Sequence, residues 1–380
     1  MTETKAKYRI FISAAEPSAD AHCAGLITAL QQRAYDIEFV GVGGPKMAAA
    51  GCLLLENTTG KAAMIYNAFK EVLHFIGLVL RIKSFFKNNK VDLVIVCDSP
   101  SFNFHVAKAA KRAGIKTIFY VAPQLWAWAS WRIRKLRKFC DKLCCILPFE
   151  QDWFGQRGLE AVFVGHPMLD ELHIDLPGQR RNFADFNPTT ARIAIMPGSR
   201  NAEINSLWLP MQQIAIRLKK KYPEVTFTTV AVDAEKQQLL KEKQIPGFDS
   251  QYTIGSVNET ARSADFAIVT SGSATLEITA AGRPMVIMYQ SSRVLWHLVG
   301  WWLIKPKYLS LVNILAGKEL VPEFMPYFTS IDPIVETIEN ILDDSDSLTK
   351  LSEDLINLVK PLAEKKASNE VANIALDMLP

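Results

Sequence analysis

Short apolar runs rich in β-branched residues alternate along this chain with amphipathic stretches, and few folds accept that alternation. Residues 8–13, 37–40, 91–97, 115–121 and 143–147 are continuous enough to be strands buried on both faces. Between them, residues 20–32, 66–88, 102–113 and 150–158 carry the charge and apolar spacing of helices. Strand–helix alternation at this spacing predicts a parallel sheet with helices on both faces. Residues 165–187, with Pro167, Pro177 and Gly178, break the pattern. A second series then follows: strands at 192–196, 225–230, 266–270 and 285–288, and helices at 202–221, 234–243, 258–264 and 273–281. At 380 residues the chain is too long for one such unit. The expectation is therefore two α/β domains, 1–166 and 191–330, joined by a linker at 167–190, with C-terminal helices over 331–380 free to pack back on the first domain.

Forty-nine per cent apolar and 22% charged residues exclude wholesale disorder. The formal charge of +4 hides an asymmetry: residues 1–170 hold 22 Lys and Arg against 14 Asp and Glu, and the remainder 21 against 25. A basic half and a mildly acidic half point to different ligands. The N-terminus, MTETKAKYRIFIS, lacks the apolar core of a signal peptide and runs straight into a strand. The most apolar runs are 75–80 and 294–304. The second would cover about 16 Å as a helix, against a hydrocarbon thickness of about 30 Å; neither spans a membrane, and either could lie on a surface. The six cysteines include Cys140, Cys144 and Cys145, but no second Cys/His pair stands at zinc spacing. No metal is expected, and buried thiols in a reducing compartment are the plainer reading.

In open parallel sheets ligands bind beyond the carboxyl ends of the strands, so the residues that follow each strand carry the information. After the first come Glu16, Ser18 and Asp20, at a strand-to-helix turn; Ser18 or Asp20 capping the helix is the structural alternative. After 91–97 comes Asp98-Ser99-Pro100-Ser101-Phe102-Asn103. A carboxylate at the tip of so apolar a strand is partly desolvated, which raises its pKa towards that of a general base; an N-cap is again the alternative. In the second half, Pro197-Gly198-Ser199-Arg200 follows a strand and opens a helix, where backbone N–H groups and a guanidinium suit an anion. Ser271-Gly272-Ser273 repeats the arrangement, and Glu277 lies one turn beyond Ser273, within reach of ribose hydroxyls. Two such turns in one domain suit a nucleoside diphosphate.

Residues 105–142 hold ten Lys and Arg against one acid, Asp141, and are interleaved with Trp126, Trp128 and Trp131. No nucleic-acid motif accompanies them, so a nucleic-acid partner is not expected. A solvated helix face and an anionic lipid surface are the two readings that stand. The stretch 66–86 favours the second. Phe69, Leu73, Phe75, Ile76 and Leu80 are among too many apolar groups for one buried stripe, and basic residues flank them.

These motifs together resemble the lipid-A-disaccharide synthase family, bacterial glycosyltransferases of the GT-B type. The resemblance runs from Ile10 to about Glu323. It is carried by Gly41-Val42-Gly43-Gly44-Pro45-Lys46-Met47, Asp98 to Asn103, Tyr120-Val121-Ala122-Pro123-Gln124-Leu125-Trp126-Ala127-Trp128, Leu147-Pro148-Phe149-Glu150, Val164-Gly165-His166-Pro167, Met196 to Arg200, Ser271 to Glu277 and Tyr308 to Gly317. It implies two Rossmann-like doubly wound domains facing across a cleft. It also implies an inverting transfer from UDP-2,3-diacylglucosamine to 2,3-diacylglucosamine 1-phosphate, giving the β-1′,6-linked disaccharide phosphate and UDP, with no cofactor. Asp98 matches the family's candidate base and Arg200 its arginine beside the donor phosphates. Gly198, Ser199, Glu203, Ser271, Gly272, Ser273, Glu277 and Asn313 fall on the donor side, and Glu16, Ser18, Asn103 and Arg132 on the acceptor or first-loop side. The family implies a cytoplasmic protein held peripherally at an anionic inner-membrane surface, and leaves room for a homodimer. Another GT-B sugar-nucleotide enzyme, epimerase-like, and a non-catalytic lipid- or nucleotide-binding relative are the alternatives. The chain departs from the family at Ala15 and Ala19, where glycine is usual, at Pro17, and at Ala129, where arginine is usual. The added methyls are expected to disfavour positive φ in the first loop and to alter acceptor choice or rate there.

Overall fold

The computed structural model describes residues 7–33, 36–59, 68–172, 175–291 and 307–380, and for 68–72 the backbone alone. They form two compact units, one from the residues before Leu172 together with Leu362–Pro380, the other Leu172–Pro361. The chain thus passes from the second unit back to the first at Pro361, inside the helix Ser345–Ala363. Only the last stretch of the C-terminal region joins the first unit.

The first unit is built on seven parallel strands: β1 (Tyr8–Ala14), β2 (Ile37–Gly43), β3 (Leu53–Asn57), β4 (Leu93–Cys97), β5 (Lys116–Tyr120), β6 (Lys142–Cys145) and β7 (Val162–Phe163). Their order is β3-β2-β1-β4-β5-β6-β7. The central strands are buried on both faces, as their unbroken apolar runs require: Ile10, Phe11, Ile12, Leu93, Val94, Ile95 and Val96 have no exposure. The two edge strands, β3 and β7, are the ones the sequence pattern does not announce. The first has no fully buried residue and the second is two residues long. The C-terminal helix Ala367–Met378 docks on this unit through Asp170, whose carboxylate accepts from the N–H groups of Ala367 (3.1 Å) and Ser368 (2.9 Å). Gly165 makes the approach feasible. Its φ is +92°, and a Cβ there would lie 2.4 Å from the carbonyl oxygen of Lys365.

The second unit has six parallel strands: β8 (Arg192–Met196), β9 (Thr226–Ala231), β10 (Gln251–Ile254), β11 (Phe266–Thr270), β12 (Met285–Met288) and β13 (Glu323–Phe324), in the order β10-β9-β8-β11-β12-β13. Trp208 on the helix Asn201–Lys221 fills its core and donates its Nε1–H to the Leu240 carbonyl at 2.9 Å. Arg283 is buried and donates to the carbonyls of Ala264 (3.0 Å), Gln179 (3.0 Å) and Arg262 (2.9 Å). Burial lowers its pKa to about 10. In both sheets the strand order reverses beside the first strand of the unit, between β1 and β4 and between β8 and β11, and such a switch point opens a crevice for ligands.

Asp20 corrects one expectation. It does not cap its own helix, Pro17–Gln31, which has no side-chain cap. Buried at 2% exposure, it accepts instead from the N–H groups of Gly44 (2.8 Å), Lys46 (3.0 Å) and Met47 (3.0 Å), capping the helix Pro45–Ala49. Asp20→Ala leaves three backbone donors, two of them buried, without their acceptor and is expected to lower stability by about 2 kcal/mol. A urea titration checks it, and an unchanged midpoint refutes the capping role.

Candidate functional site

The crevice of the first sheet lies between the loops that leave β1 and β4. The β4 loop is the strained one. Among the described residues positive φ outside glycine occurs at Asp98 (50°), Ser99 (42°), Val121 (59°) and Ala129 (56°). A left-handed backbone at a residue with a Cβ costs on the order of 1 kcal/mol or more, so something must hold it. The Asp98 N–H donates to the Tyr120 carbonyl at 3.0 Å. Asn103, fully buried, donates its amide to the carbonyls of Cys97 and Asp98, both at 2.8 Å, and accepts from Ser13 Oγ at 2.7 Å. Asn103, expected on the acceptor side, is therefore a brace beneath the loop and has no surface to offer a ligand. As their methyls lead one to expect, Ala15 and Ala19 have no positive φ, and Ala19 sits inside a helix that Pro17 begins.

Asp98 is half-buried, and Glu16 and Ser18 are exposed beside the same crevice. Ser99 donates its hydroxyl to Glu16 Oε1 at 3.1 Å, tying the two loops together. Burial and the negative charge of Glu16 raise the pKa of Asp98, while the Ser99 N–H and His22 pull it down. His22 belongs to this group of charges and was not expected. It stands one turn beyond Ser18 on the same face of the helix Pro17–Gln31, with Nδ1 3.1 Å from Glu171 Oε1, so helical spacing from Ser18 is the signal that finds it. A second buried carboxylate, Glu150, accepts from Trp126 Nε1 (2.9 Å) and the N–H groups of Ile146 (3.2 Å) and Leu147 (3.1 Å). Burial raises it to about 7 against those three donors. Burial likewise pushes the Cys140 and Cys144 thiols up to about 12, which makes them inert packing groups.

Beside these loops opens an apolar cavity of about 800 Å³, lined by Glu16 and Ser99 at one end and by Phe75, Ile76, Leu80 and Trp128. The helix Ala68–Asn88 is apolar on two faces. Leu78, Ile82 and Phe86 are buried against the sheet, while Leu73 (53%), Ile76 (52%) and Leu80 (58%) are exposed and Phe75 stands 5.4 Å from the Phe102 ring. Covering the sheet explains only the first face. The side chain of Phe69 lies outside the described residues. Arg132 sits over the Trp128 ring at 4.9 Å.

In the second unit the loops after β8 and β11 flank the switch point. The Glu203 carboxylate takes the position that sequence reasoning offered to an anion: Oε2 accepts from the N–H groups of Ser199 (2.9 Å) and Arg200 (3.1 Å), and Oε1 meets Arg200 at 3.2 Å. The loop amides are thus already engaged, and Glu203 acts as an internal brace. Arg200 itself, though paired with Glu203, is 78% exposed in its side chain and presents its remaining N–H groups outward. Gly272 and Ser273 are exposed, and a Cβ on Gly272 would meet nothing within 4 Å. Ser271, the first residue beyond β11, donates its N–H to Met288 at 3.1 Å, and Glu277 is half-buried. Asn313, expected to touch a donor, is fully buried. Its amide donates to the Val321 carbonyl (2.8 Å) and Glu323 (3.0 Å), and it accepts from the N–H groups of Leu320 (2.8 Å) and Val321 (3.0 Å). It shapes a loop from inside. Among the described residues no group of His, Cys, Asp and Glu is arranged to hold a metal ion.

The family model of lipid-A-disaccharide synthetase matches residues 10–378. Lipid-A-disaccharide synthase of Geobacter sulfurreducens is 33% identical over 389 residues, covering 100% of this chain and 99% of the relative. That of Psychromonas ingrahamii is 34% identical over 375 residues, covering 96% and 97%. Among solved structures, UDP-GlcNAc 2-epimerase from Neisseria meningitidis bound to UDP-GlcNAc superposes with a TM-score of 0.65 at 11% identity, over 97% of this chain and 99% of that one. The glycotransferase of kitacinnamycin does so at 0.62 and 12%, over 98% and 99%. At such identities the structures establish the fold, two parallel-sheet α/β units of the GT-B type.

The brace in the second unit makes its own prediction. Gly198 has φ +110°, and a Cβ there would lie 2.5 Å from Glu203 Oε2 and 2.7 Å from Glu203 Cβ. Gly198→Ala is expected to destabilise by about 1–3 kcal/mol through strain and displacement of Glu203. Thermal unfolding measures it, and an unaltered melting temperature would show that the loop relaxes freely.

Proposed function

The chain belongs to the lipid-A-disaccharide synthase family, and on that premise we propose that Asp98 is the base and Arg200 the phosphate-stabilising cation of its glycosyl transfer. The protein is a UDP-sugar-dependent glycosyltransferase of lipid A assembly. In this reading the donor is UDP-2,3-diacylglucosamine and the acceptor 2,3-diacylglucosamine 1-phosphate. An α-linked donor that yields a β-glycoside requires one in-line displacement, with the acceptor hydroxyl entering opposite the departing UDP. The hydroxyl loses its proton to Asp98 as the bond forms, and the negative charge growing on the diphosphate is met by Arg200. Ser271, Gly272, Ser273 and Glu277 supply the remaining donor contacts. Glu203 keeps the Arg200 loop in shape until the diphosphate arrives.

The observation that carries this reading is the placement of Asp98: a carboxylate at the tip of a fully buried strand, held in a strained turn and opening beside an apolar cavity able to take acyl chains. The epimerase likeness is one of fold alone, and an epimerase has no use for a cavity of that character. The doubly apolar helix Ala68–Asn88 supports peripheral contact with an anionic bilayer through Leu73, Phe75, Ile76 and Leu80. Among the described residues no helix is long and apolar enough to cross a membrane.

Asp98→Ala is expected to lower kcat by roughly 10²–10⁴-fold, the usual worth of a positioned base. UDP release with a defined acyl-sugar pair measures it, and parental activity in the variant removes Asp98 from the mechanism. Asp98 must be ionised to act, and its pKa is raised. Activity should therefore fall, as pH drops, at a higher pH than an ordinary carboxylate would dictate. Glu16→Gln removes a neighbouring negative charge and should move that acidic limb of kcat/KM to lower pH; an unmoved limb argues against Asp98 as the titrating group. Replacing Phe75, Ile76 and Leu80 together by Ser should weaken binding to anionic vesicles about tenfold or more while circular dichroism stays parental. Unchanged vesicle binding rejects the membrane role.

A further inference from the structure

The short helix Ile133–Phe139 and the second half of the helix Pro100–Arg112 enclose a cavity of about 270 Å³ beside the apolar one. Lys108, Arg134, Lys135 and Lys138 line it, with Phe104 and Phe139 as its aromatic walls. Lys135 Nζ stands 5.5 Å from the Phe104 ring and Lys138 Nζ 5.9 Å from the Phe139 ring. Among the described residues none of these four exposed cations is in an ion pair; nearby, Lys111 meets Asp141 at 2.8 Å and Lys142 meets Glu160 at 3.5 Å. Four like charges gathered round one concavity with no carboxylate between them repel one another. That arrangement is relieved only by a bound anion or by salt.

We propose that this cavity binds the phosphate of the acylated acceptor while its hydrocarbon lies in the adjoining apolar cavity. The inference rests on the acceptor being an acylated sugar phosphate. His105 lines both cavities, so the two adjoin. Lys108 lies eight residues along the helix from Pro100, about 12 Å at 1.5 Å per residue. A sugar whose hydroxyl reaches Asp98 and whose phosphate faces an extended lysine spans a comparable distance. The charge also discriminates. A phosphomonoester carries −1.5 to −2 near neutrality and offers three oxygens to four cations. The phosphodiester of phosphatidylglycerol carries a single charge and is flanked by glycerol on both sides. The bidentate fork of Arg134 and the point charges of the lysines are the groups that hold such an oxygen cluster.

The test uses full-length protein and the triple variant Arg134→Gln, Lys135→Gln, Lys138→Gln. A double variant, Arg112→Gln with Arg137→Gln, serves as control and removes nearby charge that does not line the cavity. Calorimetric titration with dihexanoyl phosphatidic acid, below its micellar concentration, probes a phosphomonoester on short chains; dihexanoyl phosphatidylglycerol probes the diester. The parent is expected to bind the monoester more tightly, and the triple variant to bind it at least tenfold more weakly. In neutral detergent micelles the triple variant should show a KM for the acceptor raised about tenfold, with kcat within threefold of the parent. The control should match the parent within twofold in both. Equal affinity for monoester and diester, or a triple variant indistinguishable from the parent, overturns the proposal. Loss of binding to phosphatidylglycerol vesicles alone, with acceptor KM and phosphatidic acid affinity unchanged, also overturns it and marks the cavity as a bilayer contact. Should the parent release no UDP from the acyl-sugar pair, the functional reading fails, and the calorimetric arm still decides whether the cavity takes a phosphomonoester.

Discussion

The turn that leaves β4 depends on one buried amide. Asp98 and Ser99 occupy left-handed backbone that a side chain disfavours, and Asn103 supplies what keeps them there: two carbonyls held at 2.8 Å and a hydroxyl from β1 at 2.7 Å. Each such bond contributes about 1 kcal/mol net, and leaving a buried amide unsatisfied would cost more. The brace is therefore of the same order as the strain it holds in place. Because Ser13 sits on β1 and Asn103 follows β4, the bond also locks the two strands that flank the switch point. The carboxylate is aimed by the fold beneath it, and Ser99 ties Glu16 to the same turn by a hydrogen bond.

The second unit solves a similar problem with a charge. Glu203 reaches back from the first turn of its helix to satisfy the loop amides after β8, and Gly198 is the residue that lets it come so close. A loop held by an internal carboxylate is shaped before any ligand arrives, and Arg200 is left as the exposed group. Preorganisation of this kind keeps the reorganisation needed during reaction small. Around the first unit the remaining surface divides by chemistry: an apolar cavity and helix face on one side of His105, an unpaired cluster of cations on the other. The proposed acyl-chain and phosphate subsites would each take one side of that division.

Much of this was legible in the residues. Strands buried on both faces have unbroken apolar sequence, and every one of them was found, with the loops that carry Asp98, Arg200 and Ser273. The edge strands β3, β7, β10 and β13 were not, because a strand that is largely exposed or only two residues long leaves no pattern to read. Roles were harder than positions. Asn103 and Asn313 stand in motifs that suggested ligand contact, yet both are fully buried and bond to backbone. A polar residue in a functional motif looks the same in sequence whether it touches the ligand or supports the residue that does. The methyls of Ala15 and Ala19 were expected to disfavour positive φ in the first loop, and neither residue has it; the left-handed backbone sits in the loop after β4 instead.

The sequence alone therefore determined the α/β class, the division into two parallel-sheet units, and the strand-end residues, because periodicity and burial are local properties of the chain. Family resemblance, read from motifs in order, determined the reaction. Tertiary structure decided what no local pattern encodes: that Asp20 caps a helix more than twenty residues away, that Glu203 fills the site of its own loop, that His22 joins the charges around Asp98, and that four lysines and arginines from two helices close round one cavity. These are contacts between side chains distant in sequence or turned by a particular backbone, and only the folded chain brings them within hydrogen-bonding or Coulombic reach.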